Sequence, residues 1–402
     1  MHSDAGLLTL SELNKPEAKD FVSAHLNHDP WQLMLQRDQY PQLPIAALVA
    51  QIQSRQKAQS KIPSWFANFD LILPPALAME QCSSEFTALY KASLVKGTRL
   101  VDLTGGAGVD TYFMSRSFKE VTYVEQDSIL CAFAKHNFTT LKADNINVIN
   151  QGAGSYLDSL SSTVDTIYID PARRVEGKKV YRIQDSKPNV LELMPLLLQK
   201  AKLIMVKAAP WMDIKAALTD LDNVAKVHVI ALGNDCKEVL YLFKTKASVP
   251  INIFTINSTR SGGLQEFSFT FEEERKANVD FAFPKDWLYE PNAAILKAGA
   301  FKGIGERFGL SKLHINSHLY TSNDLILDFP GRIFSIDKVI KYNIKEIRKN
   351  VSNKKANLST RNFPHTVAQI RKKTGIKDGG DQFIFATRNL LGKPILILAR
   401  KS

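Results

Sequence analysis

VDLTGGAGVD, residues Val101–Asp110, is the stretch on which the reading of this chain turns. A short apolar run ends at Leu103. The chain then passes through Gly105, Gly106 and Gly108 and enters a helical pattern. Glycine lets a backbone approach a ligand closely and adopt positive φ. The helix that follows offers unpaired N–H groups and a partial positive charge at its start.

Around this loop, short β-branched runs alternate with helical ones. Strands are expected at Arg99–Leu103, Val121–Glu125, Ile146–Asn150, Thr166–Asp170 and Leu203–Lys207. That alternation predicts a parallel sheet with helices on both faces, an α/β fold. Lys226–Leu232 and Val239–Lys244 are joined only by GNDCKE, a link too short for anything but antiparallel pairing. Ahead of the sheet, residues 1–85 read as helical, with helices at Ile45–Ile62 and Ala78–Val95. Beyond Pro250 strands are expected at Asn252–Ile256, Glu266–Phe271, Lys312–Leu319 and Leu325–Phe334, with a helix at Asn292–Phe308. They suggest a ferredoxin-like α+β module. The last segment reads as helix Asn343–Val351, strand Asn357–Arg361, helix Thr366–Thr374, then strands Gln382–Arg388 and Pro394–Arg400. Four domains are expected: 1–85, 86–248, 249–334 and 335–402.

The glycine loop fits a dinucleotide pyrophosphate or the amino-acid end of S-adenosylmethionine. Its spacing is D-x-x-G-G-x-G rather than G-x-G-x-x-G. The second strand ends in Glu125, 17 residues after Gly108, where a carboxylate can accept both ribose hydroxyls. With the closing hairpin, these features resemble the class I S-adenosylmethionine-dependent methyltransferases over Cys82–Thr245. The resemblance implies that Asp102, Thr104, Gly105, Gly106, Gly108 and Asp110 contact the cofactor and that Glu125 holds its ribose. Thr104 stands where many members have glycine, and QGAGSY after the third strand lacks the usual acid beside the adenine. A backbone N–H near Ala153 is expected in its place. Gln81, Ser83 and Ser84 are candidates to cover the cofactor carboxylate, although either serine also suits a helix N-cap.

DPARR, Asp170–Arg174, follows the fourth strand. Ligands of such sheets lie beyond the carboxyl ends of the strands, so Asp170 points at the reaction. Asp170, Pro171 and Arg173 are the catalytic candidates, and Arg174 a phosphate contact. Both arginines would equally suit surface ion pairs. DPARR lacks the second proline and aromatic of enzymes that methylate exocyclic base amines. No cysteine stands near the site for covalent pyrimidine chemistry. Trp211 in KAAPW reads as a buried residue at a helix start, with base stacking as the alternative, and Cys82 reads as structural.

Among 402 residues, Lys and Arg total 52 and Asp and Glu 40, a net of +12. Gly331–Ser402 carries 17 basic and 4 acidic residues, which leaves 35 and 36 for the rest. A local basic field attracts polyanions, nucleic acid above all. Lys345, Arg348, Lys349, Lys354, Lys355, Arg371, Lys372 and Lys373 are the nucleic-acid candidates. The end of the chain resembles THUMP-like modules of RNA-modifying enzymes, which implies tRNA or rRNA as partner. Three dispersed cysteines exclude a disulfide framework and a thiolate metal site, and no metal is expected. The absence of a leader pattern and of long apolar runs points to a cytoplasmic protein without membrane contact. Two other functions fit the same residues: a methyltransferase for a protein or small molecule, and a non-catalytic RNA-binding protein on a degenerate methyltransferase fold. The sequence leaves the oligomeric state open.

Overall fold

The structure is a computed structural model that describes residues 10–172, 174–175, 178–179, 182–245, 250–351 and 354–402. Arg173 and the side chain of Arg174 lie outside the described residues. The chain divides into two compact units, 1–224 with 240–247, and 225–239 with 248–402.

The first unit opens with helices, of which α1 (Ile45–Lys61) is the longest. Leu48, Val49 and Ile52 of α1 are buried with Phe21, Val22 and Leu33 of the flanking helices. The expected helix Ala78–Val95 is two, Ala76–Gln81 and α2 (Glu85–Ser93). Cys82 is extended, and Ser84 caps α2 by accepting the Thr87 N–H. A serine hydroxyl competing for backbone donors starts a new helix here rather than continuing the old one.

Then follow β1 (Arg99–Asp102), α3 (Val109–Ser115), β2 (Glu120–Glu125), α4 (Ser128–Thr140), β3 (Ile146–Asn150), α5 (Ala153–Ser159), β4 (Val164–Ile169), α6 (Val190–Lys200), β5 (Ala201–Ala208) and α7 (Ile214–Asp220). β1 to β5 are parallel in the order β3-β2-β1-β4-β5. β4 and β5 bury nearly every side chain, as strands covered on both faces do. The register sets Asp102 beside Tyr123 and Tyr168 and pairs Ile169 with Val206. Asp170 and Lys207 are the next residues along these two strands, at the carboxyl edge of the sheet.

β6 (Val224–Leu232) and β7 (Asp235–Phe243) follow, with a turn shorter than expected, Gly233–Asn234. Both turn residues have positive φ, which this tight hairpin requires. β7 contributes to both units. In the first it lies next to β5 and completes the sheet; in the second it lies next to β6.

In the second unit β8 (Asn252–Ser258) runs parallel to β6 and antiparallel to β9 (Leu264–Thr270). These two strands therefore do not join the sheet of the ferredoxin-like segment. That sheet has seven strands: β10 (Trp287–Pro291), β11 (Ser311–Lys312), β12 (Tyr320–Ser322), β13 (Gly331–Lys341), β14 (Asn357–Thr360), β15 (Gln382–Arg388) and β16 (Pro394–Lys401), in the order β11-β12-β10-β13-β16-β15-β14. The expected helix Asn292–Phe308 breaks into Ala293–Ala298 and Gly303–Arg307 at Gly299, whose φ is +84°. The strand expected at Leu325–Phe334 begins only at Gly331, and Lys312–Leu319 is mostly loop. Two helices pack on the far half of this sheet, α8 (Ile344–Asn350) and α9 (Val367–Thr374). Glu290 on β10 is buried and takes ion pairs from Arg332 on β13 and from Arg361, just past β14.

Candidate active site

The loop between β1 and α3 is built around Tyr123. A Cβ on Gly105 would lie 2.1 Å from the Tyr123 ring, and one on Gly108 2.9 Å from Phe138. Gly106 and Gly108 have φ of +53° and +79°. The Tyr123 hydroxyl donates to the Gly106 carbonyl at 2.7 Å. Only glycine fits this cradle without displacing the ring beneath it.

Glu125 is fixed through both oxygens. Gly106 N–H donates to one at 3.0 Å and Asp127 N–H to the other at 2.9 Å. Each oxygen keeps a lone pair for a ligand hydroxyl. Asp102 accepts from Thr104 N–H at 3.0 Å and from the Thr111 hydroxyl at 2.6 Å. Burial outweighs these bonds and pushes its carboxyl up to about 7. Thr104 has a further role. Its hydroxyl accepts the Asp170 N–H at 2.6 Å, so the glycine loop and the DPARR edge are tied together by one side chain.

Behind this front lies a polar cluster that the sequence reading missed. Lys91 and Lys207 are fully buried. Lys91 lies 3.2 Å from Asp110; Lys207 lies 3.8 Å from Asp110 and pairs with Asp170. Ser83 and Tyr168 each donate to Asp110 at 2.8 Å, and both lysines donate to Ser83. Burial alone would raise the Asp110 carboxyl, but the two lysines and these hydrogen bonds hold it well below the usual range. A signal for both lysines was present. Lys91 shares the buried face of α2 with Thr87 and Ala88, and Lys207 follows directly on the apolar run Leu203–Val206 of β5.

A cavity of about 870 Å³ runs along the carboxyl edge of the sheet. Of the expected cofactor residues, Gln81, Ser83, Asp102, Thr104, Gly105, Gly106, Asp110, Glu125 and Ala153 line it, with Asp170 and Pro171 of the catalytic candidates. Gly108 and Ser84 do not. Gly108 is the left-handed residue that starts α3, and Ser84 is the cap of α2. Trp211 is not buried as expected; it lines the cavity and is 37% exposed. Cys82 also borders it, but burial raises its thiol to about 11, which suits no nucleophile. The wall thus carries five carboxyl groups, Glu80, Asp102, Asp110, Glu125 and Asp170, with both lysines set behind it. Such a wall suits a ligand of net positive charge bearing vicinal hydroxyls. S-adenosylmethionine, a sulfonium with an added ammonium and one carboxylate, fits that description.

Residues 83–221 match the family described as conserved hypothetical protein 95, 287–330 a ferredoxin-like domain, and 331–401 the THUMP-like domain family. The crystal structure of a proposed methyltransferase from Porphyromonas gingivalis W83 is 33% identical. It covers 96% of this chain, is itself covered to 98%, and superposes with a TM-score of 0.86. The chain belongs to the S-adenosylmethionine-dependent methyltransferases. Curated proteins from two strains of Mycobacterium tuberculosis, each named an uncharacterized S-adenosylmethionine-dependent methyltransferase, are 21% identical over 244 residues. Those residues are 59% of this chain, which spans 62% of those relatives.

In this methyltransferase the basic candidates sit on or between α8 and α9. Lys345, Arg348, Lys349, Lys354, Lys355, Lys372 and Lys373 are exposed. Arg371 is not free for phosphate, because it pairs with Asp378. Among the described residues there is no cluster fit to hold a metal ion and no helix long and apolar enough to cross a membrane.

Proposed function

We propose that this methyltransferase modifies RNA, of the tRNA or rRNA class, by direct methyl transfer. The observation that carries the reading is the pairing of a cofactor cavity ending at Asp170 with a surplus of exposed lysines on α8 and α9. Phosphate neutralisation by such lysines gives strong, salt-dependent affinity with little sequence information.

Bound S-adenosylmethionine supplies an electrophilic methyl group. Glu125 would hold its ribose hydroxyls. The backbone of Gly105 and Gly106, with Gln81 and Ser83, would hold the amino-acid end, and the N–H of Ala153 the adenine. The carboxylate of Asp170 accepts a hydrogen bond from the acceptor and aims its lone pair along the line of transfer. Asp170 itself is held from two sides, by Thr104 through its backbone and by Lys207 through its side chain. Residue 170 can therefore orient an acceptor without first being reorganised.

The test is incubation of the full chain with tritiated S-adenosylmethionine and total RNA from a strain lacking the gene. Ribonuclease-sensitive label that maps to one nucleoside, and falls at least a hundredfold in Asp170→Asn, is expected. Label that appears only in protein or small molecules would refute the RNA reading.

A further inference from the structure

We propose that Lys187 is a phosphate-binding residue of the cavity, taking a phosphate of the nucleotide that receives the methyl group. The proposal rests on the RNA reading above and adds to it a contact inside the catalytic unit.

The charge of the wall is one-sided. Glu80, Asp102, Asp110, Glu125 and Asp170 line the cavity, and among the described residues of the wall Lys187 is the one cation. A cleft lined by one sign of charge concentrates ligands of the other sign and repels those of its own. This wall therefore draws in a sulfonium and turns away a polyanion. An RNA acceptor brings its phosphates with it, so one point of the wall has to carry the opposite charge. The lysines of α8 and α9 belong to the second unit, whereas Lys187 comes from the same unit as Asp170.

The backbone fixes where that charge stands. Lys187 lies between β4 and α6, and its carbonyl accepts the Ala172 N–H at 2.8 Å in an antiparallel bridge. Ala172 is two residues past Asp170, at most ~7 Å of extended chain. On the other side, Ser186 is buried and its hydroxyl donates to the Ile183 carbonyl at 2.6 Å. With the main chain held at both neighbours, the exposed side chain is the part left to move.

Among the described residues nothing engages the Lys187 ammonium. Pro171, Ala172 and Pro188 beside it in the wall carry no charge, and the Asp170 carboxylate is already paired with Lys207. A compact ammonium on a flexible stem suits phosphate oxygens as a point charge. The cofactor's carboxylate, the other anion of the site, would have Gln81 and the loop after β1, so cofactor affinity tells the two anions apart.

The experiment compares wild type, Lys187→Gln and Lys187→Arg in the tritium assay on total RNA over a range of salt, with calorimetry of S-adenosylmethionine binding on the same samples. Cofactor affinity within about twofold is expected in all three. Lys187→Gln, which keeps length without charge, should raise KM for RNA about tenfold. It should also lower the slope of log kcat/KM against log salt by about 0.7, the share of one phosphate contact on a single strand. Lys187→Arg should keep KM within about threefold of wild type and leave the slope unchanged. An arginine variant as weak as the glutamine variant overturns the proposal. So does a glutamine variant that loses cofactor affinity, because the lysine then serves the cofactor's carboxylate. Wild type that labels no RNA overturns the functional reading and this inference together. RNA labelled equally well by all three, with equal slopes, leaves the functional reading standing and sinks only the inference.

Discussion

Asp102 gives the sharpest quantitative prediction. Its carboxyl is buried, and desolvation raises it from 3.8 to about 7 in the folded state. Between about pH 4 and about pH 7 the folded protein holds a proton that the unfolded chain has released. Fewer protons on the unfolded side mean that stability falls as pH rises through this window, and is level outside it. About three pH units at ~1.4 kcal/mol each come to about 4 kcal/mol. Asp110, held low by Lys91 and Lys207, acts in the opposite direction and in another window, because its contribution is lost as pH falls below about 4. Asp102→Asn keeps an acceptor for the Thr104 N–H and removes the titration. Urea unfolding of both proteins from pH 4.5 to 7.5 should show wild type losing about 3 kcal/mol relative to the variant. Parallel curves, with a gap that changes by less than about 1 kcal/mol, would refute the reasoning. Saturating S-adenosylmethionine, a cation in the same cavity, should move the wild-type midpoint down and release a proton on binding near pH 7.

Three further outcomes are expected. Gly105→Ala places a methyl 2.1 Å from the Tyr123 ring; overpacking of this kind costs ~1–3 kcal/mol, and calorimetry should find S-adenosylmethionine affinity down at least tenfold. Lys207→Met takes from buried Asp110 one of its two lysines and from half-buried Asp170 its lysine partner; a broken buried network of this kind costs ~3–5 kcal/mol, to be read in chemical unfolding, and methyl transfer should fall with it. Replacing Lys345, Lys349, Lys372 and Lys373 with serine should lower the slope of log affinity against log salt for single-stranded RNA by about 3, at roughly 0.7 per phosphate contact.

The parts of the site that were legible in the sequence are those set by local backbone. The glycine loop, Glu125 at a strand end and Asp170 after the fourth strand each announce their position through turn chemistry and strand period. Lys91 and Lys207 were missed because a lysine is read by default as surface. Their meaning depends on Asp110 and Asp170, which the register brings beside them from other elements. Thr104 looked like a departure from a glycine pattern; its use as a tie to Asp170 follows only once β1 and β4 are neighbours. The same limit explains β8 and β9. Their alternation correctly marks strands, but alternation carries no address: β8 pairs with β6 and β9 with β8, neither with β10. The helix expected at Asn292–Phe308 failed for a plainer reason, since Gly299 in left-handed backbone ends a helix whatever the flanking pattern.

Glu290 sets a limit on how the protein can be taken apart. The carboxylate lies in the segment matched as ferredoxin-like, whereas Arg332 and Arg361 lie in the segment matched as THUMP-like. A cut between residues 330 and 331 leaves an anion in the core of one fragment with no counter-charge, and opens the β10 edge that β13 had covered. Neither fragment inherits a closed sheet. The two matched segments thus share one sheet, and an RNA-binding assay on the last 72 residues alone would test a fragment stripped of the β10 pairing and of both ion pairs to Glu290.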